Sequence, residues 1–268
     1  MALILKGIGR LYFYLNEDII DERTRDWPLI GSPWPGIALL LCYLFTVLKW
    51  LPDYMKSRPA YDLRRLLSVY NALQIVFCVY VVYYSLRLGW LNHYSLLCHP
   101  VDYEDHSIEY AWKVCYGYFV IKLIDLLDTI FFVLRKKQNQ VTFLHVYHHF
   151  GMVAVAWGIV KWLPGGHITM LVPINSSVHI IMYGYYFLTT WDDHFKKSLW
   201  WKKHVTQVQI IQFSILLVHF LALALASDCP VPRAPAYILI PQNLFMVILF
   251  SDFYYRSYIK PNKTTKTN

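Results

Sequence analysis

Seven apolar stretches, each long enough to cross a hydrocarbon core, leave this chain few folds to choose from. They run at roughly 34–51, 66–88, 112–134, 142–162, 168–189, 205–227 and 236–256. A helical span needs about 20 predominantly apolar residues, because in lipid every backbone N–H and C=O must be satisfied within the segment. The runs are continuous rather than alternating, which argues against a barrel of strands. Over 268 residues, 57% hydrophobic content, 16% charged residues and a mean hydropathy of +0.34 are also too apolar for a soluble domain. No repeat or low-complexity tract interrupts the pattern. The expected fold class is all-α integral membrane, with seven transmembrane helices forming a single membrane domain over 1–268.

Positive charge sets the expected orientation. With the N-terminus outside the cytosol, 16 of the 25 Lys and Arg residues fall in cytosolic segments, 8 fall on the other side, and Lys122 lies inside a span. Residues 1–33 then form a lumenal N-terminal segment and 257–268 a cytosolic tail. No cleavable signal peptide is visible, so the first span is expected to serve as the targeting signal. The net charge of +8 is spread in short clusters between apolar runs, which suits topology and an anionic substrate and gives no reason to expect nucleic acid. Five cysteines without CxxC spacing argue against a zinc module. Cys98 and Cys229 both fall in non-cytosolic loops, where a disulfide is chemically permitted; two unrelated free thiols are the alternative.

Polar residues inside the spans point to a site. His145, His148 and His149 stand at i, i+3 and i+4, so on a helix all three imidazoles share one face of an apolar segment. One histidine there reads as a hydrogen-bonded core residue; three are costly to hold in a span without partners, which favours function. The third span carries Lys122, Asp125, Asp128 and Thr129. The fifth carries Asn175, His179, Tyr183 and Tyr186 on one face beside Met182, and the sixth carries Thr206, Gln209 and Gln212. At about 1.5 Å per residue, these groups lie roughly 6–14 Å in from the cytosolic ends of their spans. Four helices of alternating direction are therefore expected to present polar groups in one layer. Bland readings stand beside this. Lys122 and Asp125 are able to neutralise each other, Asp128 to orient a histidine, Thr206 to cap the sixth helix, and Gln209 and Gln212 to hydrogen-bond between helices. His93, His99, His106, His167, His194 and His204 lie in loops or at span ends and call for no function.

Four motifs in order resemble a known family. Lys122-x-x-Asp125-x-x-Asp128-Thr129, the His145-x-x-His148-His149 box, Asn175-x-x-x-His179-x-x-Met182-Tyr183-x-Tyr185-Tyr186 and Thr206-x-x-Gln209-x-x-Gln212 are similar to those of the ELO-type fatty-acid elongases, the 3-ketoacyl-CoA synthases of the endoplasmic reticulum. One departure is Asp125, where the family usually has Glu; the charge is kept on a side chain one methylene shorter. The resemblance implies six helices around a closed-ended acyl tunnel, with a seventh beside them. It implies condensation of a long-chain acyl-CoA with malonyl-CoA to a 3-ketoacyl-CoA two carbons longer, with release of CO₂ and CoA. It implies no metal and no cofactor. Partners on this reading are the bilayer, the two CoA substrates and the ketoacyl reductase, dehydratase and enoyl reductase of the elongation cycle; a homo-oligomer is compatible with it. The His-Val-Tyr-His-His form resembles elongases of longer or polyunsaturated chains.

Residue chemistry agrees with that expectation. An imidazole in a dry pocket attacks a thioester to give an acyl-imidazole, a good acyl donor to carbon. His148 is the expected nucleophile, with His149 second, His145 setting a tautomer or moving a proton, and His179 assisting condensation. Lys122, Asp125, Asp128, Asn175, Tyr183, Tyr186, Gln209 and Gln212 are expected to bind substrate; Asn175, His179 and Gln209 are also donors for the enolate. Two other classes compete. A membrane desaturase also uses HxxHH boxes, but needs several of them to hold two irons. A seven-span receptor shares only the span count and gives the histidine face no purpose.

Overall fold

A computed structural model describes residues 2–104 and 106–260. Among these residues the chain is all-helical, with no strand. Five helical stretches are long and apolar enough to cross a membrane: Pro33–Met55, Arg64–Trp90, Phe143–Trp162, Leu199–Leu225 and Ala234–Ile259. The chain is a multi-pass membrane protein. Helices also form at the third and fifth expected spans, Gly117–Leu134 and Leu171–Trp191. These two are the least lipid-like, the first because it holds Lys122, Asp125 and Asp128, the second because Asn175, Ser176, Ser177, His179 and four aromatic hydroxyls or indoles dilute its apolar content. The charges of 261–268, including Lys263 and Lys266, lie outside the described residues, as does the Asn262-Lys263-Thr264 sequon.

Two compact units, each built from separated stretches, make up the chain. The first comprises Met1–Asp62 and Val101–Thr169. It holds α1 (Ala2–Phe13), α2 (Pro33–Phe45), α3 (Leu51–Met55), the single turn α5 (Ser107–Tyr110), α6 (Gly117–Leu134) and α7 (Phe143–Trp162). Ser32 caps α2 by accepting from Trp34 N, with Pro33 preset for the first turn. Pro52 has no N–H to continue the ladder, and the helix passes it through a widened π turn, Thr46–Trp50, before α3. The result is continuous helix past the expected end at 51. Leu51 and Met55 of α3 pack on Val133 of α6, with Ile130, Leu134 and Val141 around them.

The segment between α1 and α2 is folded rather than loose. Thr24 Oγ1 donates to Val160 O (2.7 Å), Trp157 Nε1 to Leu29 O (2.8 Å), and Lys161 Nζ to Ile30 O (3.1 Å) and Gly31 O (2.7 Å). Arg23 pairs with Asp21 at 2.7 Å and donates to Asp102 O. Gly31 is required by close approach, since a Cβ there would meet Arg25 O at 2.6 Å. His167, expected to be an unremarkable loop residue, is instead buried (1% exposed) in the turn before the next helix.

The second unit comprises Leu63–Pro100 and Met170–Asn268. It holds α4 (Arg64–Ser85), α8 (Leu171–Trp191), α9 (Asp193–Lys197), α10 (Leu199–Leu225) and α11 (Ala234–Tyr254). α4 packs along α8, and α10 packs against both α8 and α11. The start of α4 is pinned to the end of α8 by Arg64 Nε on Thr190 O and Trp191 Nε1 on Ser68 Oγ. α10 begins two turns earlier than the apolar pattern suggests, at a Ser198 cap. Thr206 is therefore inside the helix, donating back to Lys202 O, and is not its cap. Cys98 and Cys229 form a disulfide with Cα atoms 5.8 Å apart. Closing a loop of 131 residues adds about 5 kcal/mol in the chain-entropy model, less if the folded bridge is strained. Non-reducing peptide mapping should recover Cys98 and Cys229 as one cross-linked pair, and Cys98→Ser should lower the thermal midpoint; recovery of two free thiols would remove the bridge.

Candidate active site

The histidine box lies in the first two turns of α7. Thr142 starts that helix, its side chain accepting from His145 N at 3.2 Å, so the capping residue also fixes where the box begins. The hairpin from α6 ends with Lys136 at φ 53, a left-handed position uncommon for a side-chain residue. That tight turn brings α6 back against α7, and Thr129 Oγ1 meets His145 Nε2 at 2.9 Å. Thr129 Oγ1 is also 2.7 Å from Tyr43 OH of α2. A hydroxyl relay from α2 through α6 thus ends on one imidazole of the box. Phe132 packs on the His145 ring with centroids 5.1 Å apart.

The three histidines differ in setting. The His145 and His149 rings are 4.2 Å apart, and the His148 and His149 rings 5.6 Å apart at nearly right angles. His149 is buried, at 8% exposed, whereas His145 and His148 are half-buried. Lys122 and Asp125 form an ion pair at 2.8 Å with side chains 2% and 3% exposed, and the Lys122 ammonium lies 4.8 Å from the Tyr118 ring centroid. Asp128 is half-buried on the same helix. Among the described residues no group of three or more His, Cys, Asp and Glu side chains is arranged to hold a metal ion.

The second unit carries its own buried polar cluster. On α8 the rings of His179 and Tyr183 are 5.6 Å apart, and those of Tyr183 and Tyr186 are 6.2 Å apart, so this face is shared as the spacing predicts. Asn175 Nδ2 donates to Gln212 Oε1 across to α10 at 3.3 Å, and Gln209 Nε2 reaches Met182 Sδ at 3.6 Å. Asn175, His179, Tyr183 and Gln212 are all buried. Gln74 of this cluster, and Tyr43 of the first unit, went unread in the sequence. Gln74 of α4, 1% exposed, points its amide at Tyr70 OH (3.2 Å) and Tyr183 OH (3.4 Å). Asn71 and Gln74, one turn apart and the only amides in their span, were the available signal. Tyr43, by contrast, is one tyrosine among 22 and gives none.

An apolar cavity of about 410 Å³ opens in the same unit. Val82, Leu86, Trp90, Met170, Ile174 and Ile215 line it, with Ser177 and Gln212 among its polar lining. Gln212, which accepts from Asn175, is thus one of its lining residues.

These motifs and their order fall inside a family match. The model of ELO, the GNS1/SUR4 family, matches residues 28–266. "Very long chain fatty acid elongase 7" of Drosophila melanogaster is 42% identical over 256 residues, 95% of this chain and 78% of that protein. "Very long chain fatty acid elongase 4" of Homo sapiens is 41% identical, covering 94% of this chain and 80% of its own. "Very long chain fatty acid elongase 2" of Mus musculus is 39% identical, covering 90% and 81%. On this match, which takes in most of the chain and every motif described above, the protein belongs to the GNS1/SUR4 family.

Proposed function

We propose that this protein is a very-long-chain 3-oxoacyl-CoA synthase that extends a long-chain acyl-CoA by two carbons from malonyl-CoA, releasing CO₂ and CoA. The observation that carries the reading is the half-buried His148 on a three-histidine helix face, in a chain about 40% identical to fatty-acid elongases along nearly its whole length. His148 attacks the thioester carbonyl, the C–S bond breaks, and CoA leaves with the proton that His145 or His149 passes to it. Malonyl-CoA then loses CO₂, and the resulting enolate carbon attacks the acyl-imidazole, forming the new C–C bond and freeing His148. Asn175, His179 and Gln209 are proposed donors to the enolate oxygen. Tyr183, Tyr186 and Gln212 are proposed substrate contacts, with Lys122, Asp125 and Asp128 binding or positioning on the first unit. A dry, apolar setting slows loss of the acyl-imidazole to water.

The same proposal takes the chain as one membrane domain with seven spans in the endoplasmic reticulum, residues 1–33 lumenal and 257–268 cytosolic. It involves no metal or cofactor, and it places the protein beside the reductase, dehydratase and enoyl reductase that process a 3-ketoacyl-CoA. The 16-to-8 distribution of Lys and Arg supports that orientation, and Asn262 should accordingly carry no glycan in cells. A glycan there overturns it. The decisive test of function is incubation of the purified full chain with saturated and polyunsaturated acyl-CoAs and labelled malonyl-CoA. Products two carbons longer should form, and should still form after exhaustive chelation. Absence of malonyl-dependent product across the panel sinks the reading, and loss of product on chelation sinks its metal-free form.

A further inference from the structure

Helix α1 presents a face that nothing in its own unit covers. Ile4, Ile8 and Leu11 lie along one side of it, flanked by Leu5 and Tyr12, with Lys6, Arg10 and the terminal Phe13 on the opposite side. Ile4 is 67% and Ile8 60% exposed, so this stripe is not the buried side of a core helix. Two contacts fix the level at which α1 ends. Tyr12 stacks on Trp34 at 6.2 Å with planes 25° apart, and Trp34 stands in the first turn of α2, where the first apolar span begins. Trp162, at the close of the α7 span, donates its indole N–H at 2.8 Å to Leu15 O in the π turn (Tyr14–Asp18) that continues α1. The end of α1 is therefore tied to the two points where helices of this unit leave the hydrocarbon. Exposed Trp34 is a residue of the kind that favours such an interface.

We propose that α1 is an amphipathic helix lying in the membrane interface, its Ile4–Ile8–Leu11 stripe sunk among acyl chains and Lys6 and Arg10 held to anionic lipid phosphates. The helix runs on through a π turn at Tyr14–Asp18, but Asn16, Glu17 and Asp18 in that turn leave too short an apolar length to span the bilayer. An apolar stripe left in water at this level has no physical reason to persist. The two cations opposite the stripe select the occupant, since lipid phosphates supply the complementary charge and a second copy of the same basic helix does not. The inference stands apart from the proposed reaction and needs no catalytic residue.

The test is spin labelling of the full chain in nanodiscs, with exposed Cys42 changed to Ser. Labels are placed singly through Ile8→Cys and Lys6→Cys, and oxygen and nickel accessibilities are compared in phosphatidylcholine discs with and without phosphatidylinositol. The Ile8 label should be oxygen-rich and nickel-poor, with a several-fold higher ratio than the Lys6 label. Its depth should increase when the anionic lipid is present, and Lys6→Glu/Arg10→Glu should abolish that increase. Equal nickel access at both positions overturns the proposal by placing α1 in water. Protection of Ile8 with a resolvable distance between labels on two copies overturns it in favour of a dimer contact. Depth that ignores phosphatidylinositol overturns the anionic-lipid part.

Discussion

Mixed with a long-chain acyl-CoA alone, the protein should release up to one equivalent of CoA and carry the acyl mass on the peptide containing His148; His148→Ala should abolish both. On the proposed mechanism the three imidazoles of α7 have settings that suit different tasks. His145 meets the Thr129 hydroxyl, itself bonded to Tyr43, and such a relay holds a ring in one orientation and tautomer. His149 is the most buried of the three and stands between its neighbours, 4.2 Å from the His145 ring and 5.6 Å from the His148 ring. That position suits proton transfer more than attack on a thioester that must reach it. His148 is half-buried with its ring 5.6 Å from that of His149, so on the proposed mechanism His149 is the nearest candidate base for it.

Magnitudes separate the roles. Loss of the nucleophile should lower turnover by at least about 10³-fold, and loss of a proton-transfer partner in His149→Ala by about 10²-fold with the burst slowed but present. Single-turnover release of CoA and mass analysis of the quenched enzyme read both. If CoA appears only after malonyl-CoA is added and no adduct is trapped, the covalent step is wrong. The histidines would then act as acid, base or oxyanion donors in a direct condensation.

Helix positions were legible because apolar runs and helix periodicity survive in any single sequence; helix ends were less so. Hydropathy stops at the Lys202-Lys203 pair, whereas α10 starts at Leu199, because the Ser198 cap and the long stems of those lysines suit a helix leaving the bilayer. The first span was expected to end near 51, yet the helix continues past Pro52 by way of the π turn before it. The shared face of His145, His148 and His149 and the Asn175–His179–Tyr183–Tyr186 stripe follow directly from i, i+3 and i+4 spacing. What no spacing shows is which element comes to meet them. The Tyr43–Thr129–His145 relay joins residues 86 and 16 positions apart. The fastening of residues 21–31 to the end of α7 runs through backbone carbonyls, which carry no residue code at all. Lys161 looked like one more topology charge, yet it is fully buried and spends its donors on Ile30 and Gly31. The Cys98–Cys229 bridge was one of two open readings, since distance between loops is not written in sequence.

Breaking the Lys122–Asp125 pair should be the most damaging change outside the histidines. Both side chains are at most 3% exposed, and their 2.8 Å contact lies inside a helix with few other charges. Lys122→Met or Asp125→Leu alone leaves one buried charge without its counter-ion, which costs about 3–5 kcal/mol. The double variant Lys122→Met/Asp125→Leu removes both charges and should recover most of that loss, because a buried pair is seldom more stable than apolar residues of similar volume. Thermal unfolding in detergent reads this first arm, and a double variant no more stable than the singles contradicts it. Activity reads the second. On the proposed function the pair serves the site, since a buried ion pair is weak evidence of a stabilising role. The folded double variant should therefore lose most elongation activity, whereas Asp125→Glu, which keeps the charge and adds one methylene, should retain it at a packing cost of about 1–3 kcal/mol. Full activity in the double variant would assign the pair to structure alone.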